Sequence, residues 1–158
     1  MSMIELVFTG RIKNRKIYEE FAHNIIDELF PREFKRDIIV GIAFRTLVGD
    51  GVYGQATCHN KEDESDVEYH LVEVAKVVVQ DGQIVPCTAK EIASTLVHEL
   101  VHIRQYIRRE LNSGMTRWMG QVIPYGPRGG LKIPYKRQPW EIEAFSMERE
   151  IMEYLWVH

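Results

Sequence analysis

Apolar residues recur along this chain with two different periods, and the switch between them marks out the elements. Ile17, Phe21, Ile25 and Leu29 return every fourth residue, which predicts a helix over 15–30, capped by Asn14 and ended by Pro31. A longer helical pattern fills 89–110. There Ile92, Ala93, Leu96, Val97, Leu100, Val101, Ile103 and Ile107 cover one broad arc, and Thr88 with Glu91 makes a capping box. A third helix, over 139–156, opens on Pro139, where the missing N–H is not needed. The runs Ile4 to Thr9, Ile38 to Phe44, Tyr53 to Cys58 and Glu68 to Val79 read as strands. Gly49-Asp50-Gly51 and the acidic run Lys61 to Asp66 separate them, and Asp81-Gly82 closes the last. Trp118 to Ile123 reads as a further short strand before the turn at Gly126-Pro127-Arg128-Gly129-Gly130. The pattern predicts an α+β fold with a small, largely antiparallel sheet.

Composition narrows this picture. A chain of 158 residues that is 45% hydrophobic and 27% charged can bury a core without disulfides or structural metals, so one domain over 1–158 is expected. No segment is long and apolar enough to span a bilayer, and residues 1–8 lack the basic start of a secretion signal. The expectation is therefore a cytoplasmic protein with no membrane partner. Cys58 and Cys87 are not in C-x-x-C spacing and read as reduced packing residues.

The candidate chemistry sits in the central helix. His98-Glu99-Leu100-Val101-His102 puts two imidazoles one turn apart with a carboxylate between them, the H-E-x-x-H arrangement of zinc hydrolases. Both histidines fall outside the apolar arc, beside Ser94 and Gln105, so they can point at one ion while Glu99 reaches a water near it. A third ligand must come from elsewhere, because Gln105 and Arg108 stand where an extended metzincin pattern needs Gly and His. Glu141 and Glu143 at the start of the third helix are the candidates. Glu141 shares the arc of Ala144, Phe145, Ile151, Met152 and Leu155, whereas Glu143 points away with Glu150, so Glu141 is the choice. Glu148, inside the same arc, is placed to support a ligating histidine. His23, His59, His70 and His158 are left out of the site.

The motif His98-Glu99-Leu100-Val101-His102 followed by Tyr135-Lys136-Arg137-Gln138-Pro139-Trp140-Glu141-Ile142-Glu143-Ala144 resembles the gluzincin branch of zincin metallopeptidases. More narrowly, it is similar to small phage and prokaryotic metallopeptidases with a Y-x-x-x-P-x-E-x-E-A ending, over roughly 88–150. The resemblance implies a minimal zincin domain, with a small sheet packed on the active-site helix and a Zn2+ ion held by His98, His102 and Glu141. It also agrees with Glu141 as the ligand, although Phe145 replaces an acid that some relatives carry four positions later. Implied activity is hydrolysis of peptide bonds in a peptide or protein substrate, with Glu99 as general base. Tyr135 is the first choice to stabilise the developing oxyanion, with Tyr125 and Arg137 as competitors. A substrate strand is expected to lie along a sheet edge, with Glu68 to Val79 as that edge.

A second reading comes from charge. The chain is net −3, yet eight basic residues between 104 and 137 face Glu110 alone. This favours the alternative of a non-catalytic, zinc-stabilised module that binds a protein or nucleic acid through the 104–137 segment. No nucleic-acid motif accompanies the charge, so a solvated surface is the preferred explanation of it.

Overall fold

The structure is a computed structural model that describes residues 4–32, 36–59 and 67–157. The acidic run at 61–66 lies outside the described residues, as does His158. In chain order the elements are β1 (Ile4–Thr9), α1 (Arg15–Leu29), β2 (Asp37–Arg45), β3 (Gly54–Cys58), β4 (Val67–Ala75), β5 (Val77–Gln80), β6 (Gln83–Pro86), α2 (Ala89–Ile107), β7 (Arg117–Trp118), β8 (Gln121–Val122), a 3-10 turn over Tyr135–Arg137, and α3 (Pro139–Leu155). The fold is α+β. Among the described residues, no helix is long and apolar enough to cross a membrane.

The main sheet has the order β1-β2-β4-β3, and it corrects the expectation of a largely antiparallel sheet. β1 runs parallel to β2, and β2 parallel to β4; only β3 and β4 are antiparallel. The reason is α1. A helix between two neighbouring strands carries the chain back to the same end of the sheet, which forces parallel pairing. After β2 the chain crosses to the far edge, forms β3 and returns antiparallel into β4 between them. β4 is thus interior and β3 is the edge, which also corrects the assignment of 68–79 as the edge. That span is two strands: β4 ends at Ala75, and β5 pairs with β6 in a separate hairpin. Asp81 and Gly82, both at positive φ, form its two-residue turn.

One face of the sheet is closed. Ile38, Val40, Ile42 and Phe44 of β2 and Val72 and Val74 of β4 are buried with the apolar sides of the helices, Phe21, Ile25, Leu96, Leu100, Ile103 and Trp140 among them. On the other face Val7 and Tyr69 are exposed. The capping box of α2 forms as its sequence dictates, with Thr88 Oγ1 accepting from Glu91 N at 3.1 Å and Glu91 Oε1 accepting from Thr88 N at 2.9 Å. At α1, however, Asn14 takes a left-handed conformation at φ 58 and makes no side-chain cap. Arg15 instead folds back onto the carbonyls of Phe8 and Gly10. Helix α2 stops at Ile107 rather than 110, where Arg109 turns left-handed and Arg36 donates to the Ile107 carbonyl. The segment read as one strand over 118–123 is the tight hairpin β7–β8, turning at Met119-Gly120.

A charged cluster ties β4 to the end of α2. Glu68, 3% exposed, accepts from Arg109 at 2.7 and 3.3 Å, sits 3.1 Å from Arg36 and lies 2.9 Å from His70 Nε2. Burial alone would raise the Glu68 pKa, but His70, Arg109 and Arg36 outweigh it and hold the carboxyl low. His70 moves the other way: burial disfavours its charge, and Cys58 and Glu68 more than offset that. The lowered Glu68 contributes stability above the ordinary carboxylate range, lost as pH falls through its folded value. The raised His70 contributes stability below about pH 6.5, lost as pH rises through its folded value. Glu68→Gln leaves the buried end of this cluster without its anion. Because both arginines are half exposed, the expected cost at about pH 6 is about 2–3 kcal/mol, below that of a fully buried pair. Urea unfolding of the two proteins across a rising pH series should show the difference shrink as His70 loses its proton.

Candidate metal centre

Helices α2 and α3 cross so that three side chains separated in sequence meet. Glu141 Oε1 lies 2.8 Å from His98 Nε2 and 3.0 Å from His102 Nε2, and all three residues are buried. Their donor atoms lie within 4.8 Å of one another, and among the described residues this is the group of three or more His, Cys, Asp or Glu side chains that could hold a metal ion. The donor set fits a divalent cation: two imidazole nitrogens and one carboxylate oxygen converge on one point, with cleft rather than core beside them. The arrangement follows from local sequence. Positions 98 and 102 share one face of α2, and Pro139 starts α3 just upstream, so that Glu141 falls in its first turn.

Without an ion the three groups hold one another by charge. The Glu141 carboxyl is penalised by burial, yet the two histidines bring it down to about 2. His98 likewise overcomes its burial through Glu141 and Glu148 and rises to about 9, and His102 is raised in the same direction, chiefly by Glu141 against burial. An ion taken up here would replace the protons that now balance the carboxylate.

The outer ring nitrogen of His102 is also held. His102 Nδ1 lies 2.8 Å from Gln105 Oε1, and Gln105 Nε2 donates to the Trp140 carbonyl at 2.9 Å and to Glu143 at 3.2 Å. An amide oxygen only accepts, so this contact puts the hydrogen on Nδ1 and leaves Nε2 free as a donor of its lone pair to a metal. Gln105 was read from sequence only as a polar neighbour of the histidines; it is fully buried and links α2 to α3. Its signal was its position three residues after His102, on the same side of the helix. Glu148 lies 3.4 Å from His98 Nδ1, long for a hydrogen bond but close enough to act by charge. Glu143 is turned toward Gln105 and is not among the converging ligands. Gln105→Leu is expected to weaken metal binding by about 10- to 100-fold, because the ring loses its orientation while every direct ligand stays; competition with a chelating indicator measures it.

These groups line a cleft of about 790 Å³ together with Gly54, Gln55 and Ala56 of the edge strand. Glu99, 8% exposed, sits beside the ligands in this cleft, and burial raises its pKa against the pull of His102 and His98. Gly54 lets the strand approach. A Cβ there would collide with Thr95 Cγ2 and lie 2.9 Å from the Glu73 carbonyl and 3.2 Å from Glu99 Cγ. The bonds Ala75 N to Tyr53 O and His59 N to Tyr69 O show that 53 and 59 bond toward β4. Antiparallel alternation then turns the backbone groups of Gly54 and Ala56 outward, away from β4.

Of the oxyanion candidates, Tyr135 borders the cleft, with its hydroxyl donating to Glu141 Oε1 at 3.3 Å. Burial and the Glu141 charge raise its pKa, so it keeps its proton. Tyr125 donates instead to the Met115 carbonyl at 2.6 Å, and neither it nor Arg137 lines the cleft. Cys58 and Cys87 form no disulfide and lie outside the group. Comparison with known proteins gives no match: no family model, no curated protein and no solved structure is significantly similar to this chain.

Proposed function

We propose that this protein is a zinc-dependent peptidase of the zincin type. The observation that supports it most is the meeting of His98, His102 and Glu141 at one point of a cleft that also holds Glu99 and β3, an edge strand among the described residues. A structural zinc site is normally closed by four protein ligands, and among the described residues three converge here. That favours catalysis over the alternative of a zinc-stabilised binding module.

Zn2+ held by these residues supplies Lewis-acid polarisation of a carbonyl and acidifies water in the cleft. The chain's own groups do the rest. An extended peptide bonds to the outward N–H and C=O groups of Gly54 and Ala56, as an added strand, and its scissile bond is thereby held across the cleft. Glu99 takes a proton from the attacking water and delivers it to the departing amine; burial raises its pKa, which makes it the stronger base for the first role. Tyr135, a protonated phenol at the cleft wall, donates to the developing oxyanion. Phe145 and Met115 add apolar surface where a substrate side chain can be buried.

The test is cleavage of a mixed peptide library by zinc-loaded protein. Internal cleavage that stops on chelation and returns with zinc supports the proposal. A zinc-loaded, folded protein that cuts nothing, or cutting that ignores the chelator, overturns it.

A further inference from the structure

Behind the metal cleft, β3 and β4 bring a thiol, an imidazole and a carboxylate into one line. Cys58 stands directly opposite His70 in the antiparallel pair. The bond from His59 N to Tyr69 O, 3.1 Å, makes the next pair hydrogen-bonded. Cys58 and His70 therefore form the narrow pair, whose side chains share a face with Cβ atoms about 4.5–5.5 Å apart. That face turns toward α2, where the Tyr106 ring stacks on His70 at 6.1 Å between centroids.

The imidazole is held in one orientation. His70 is fully buried, and its Nε2 lies 2.9 Å from Glu68 Oε1, while Arg109 and Arg36 keep Glu68 ionised. A carboxylate only accepts, so the hydrogen sits on Nε2 and the lone pair of the neutral ring on Nδ1. Nδ1 is buried and makes no hydrogen bond among the described residues. It is the ring's free base, on a residue whose cross-strand neighbour is a thiol. Nucleophile, base and orienting carboxylate thus stand in the order that nucleophilic catalysis uses.

We infer that Cys58, His70 and Glu68 form a nucleophilic thiol site at which Cys58 exchanges with low-molecular-weight disulfides to give a mixed disulfide. His70 Nδ1 takes the proton from Cys58 Sγ. The thiolate attacks one sulfur of the disulfide; the new S–S bond forms as the old one breaks, and the departing thiolate takes a proton from solvent. Cys58 is oxidised and the released thiol is the reduced product, so the disulfide is the only oxidant required. Among the described residues, Glu68 on β4 and Tyr106 on α2 face His70, and Arg109 and Arg36 reach Glu68. Cys58 and Glu68 raise His70 despite its burial, in keeping with an imidazolium beside a thiolate. Cys87 provides an internal contrast: it is also half-buried, but burial and the Glu91 charge push its thiol up.

The experiment treats the whole chain with oxidised glutathione, maps the adduct by peptide mass, and measures iodoacetamide alkylation of both cysteines against pH. Cys58 is expected to carry the adduct and to alkylate at least about tenfold faster than Cys87 at about pH 6.5, with little further gain by about pH 8.5. His70→Gln should slow Cys58 about tenfold at the lower pH and restore the rising profile of an ordinary thiol. Cys58 reacting no faster than Cys87, a wild-type profile that climbs like that of a free thiol, or a folded His70→Gln protein with unchanged rates overturns the inference. If His70→Gln does not fold, the wild-type profile and the mapped adduct decide alone.

Discussion

Replacing Glu99 by Gln is expected to lower kcat/KM for peptide hydrolysis by about 10^2- to 10^4-fold while leaving zinc stoichiometry unchanged. The separation of effects follows from position. Glu99 lines the cleft beside the ligands, but the converging donor atoms belong to His98, His102 and Glu141. The substitution keeps the volume that Gly54 and Thr95 pack around and removes only the capacity to accept a proton. It should not cost stability, since a carboxyl whose pKa is raised by burial is replaced by a neutral amide. Metal content, thermal unfolding and peptide kinetics on one preparation check all three parts. Turnover retained in zinc-loaded Glu99→Gln would remove Glu99 from the chemistry.

The residues that meet in the cleft were legible in the sequence because each is placed by short-range rules. Helical spacing aligns His98 with His102; the Thr88 and Glu91 box fixes where α2 begins, and Pro139 fixes where α3 begins. The arc argument singles out Glu141, the acid that converges with the histidines, for the same reason, since Glu141 and Glu143 lie on one helix and differ by two positions. What the pattern left open depends on contacts between distant segments. Sheet order is one case: the patterns of β3 and β4 do not say which neighbours each strand pairs with. Yet the helix between Ile4–Thr9 and the next strand was itself a sign of parallel pairing, and it was outweighed by the hairpin-like spacing downstream. Gln105 is another. A polar residue on the side of the histidines reads as solvated, and only the approach of the Trp140 carbonyl and Glu143 gives it a buried partner set. His70 reads as an isolated histidine on a strand because the group around it, Glu68 two residues away and Arg109 just after α2, becomes a cluster only once α2 packs on β4.

Glu141→Gln is expected to reduce zinc affinity by more than the roughly 10- to 100-fold typical of a residue that only supports a ligand, whereas Glu143→Gln should change it less than tenfold. Both substitutions exchange a carboxylate for an amide on the same turns of α3, so helix propensity and dipole effects nearly cancel between them. What differs is the contact. Glu141 Oε1 is shared by both imidazole Nε2 atoms, while Glu143 reaches only the Gln105 amide. The metal-free proteins supply an independent readout. In the wild type His98 is raised to about 9, against its burial, with Glu141 the largest favourable influence; that linkage contributes stability below the ordinary histidine pKa and is lost as pH rises through about 9. Glu141→Gln removes much of it. The stability gap between the two metal-free proteins should therefore be wide at about pH 6 and narrow by about pH 10, measured by urea unfolding. Equal zinc affinities for the two variants, together with a gap that does not change with pH, would mean that the carboxylate at 141 neither holds the ion nor balances the histidines.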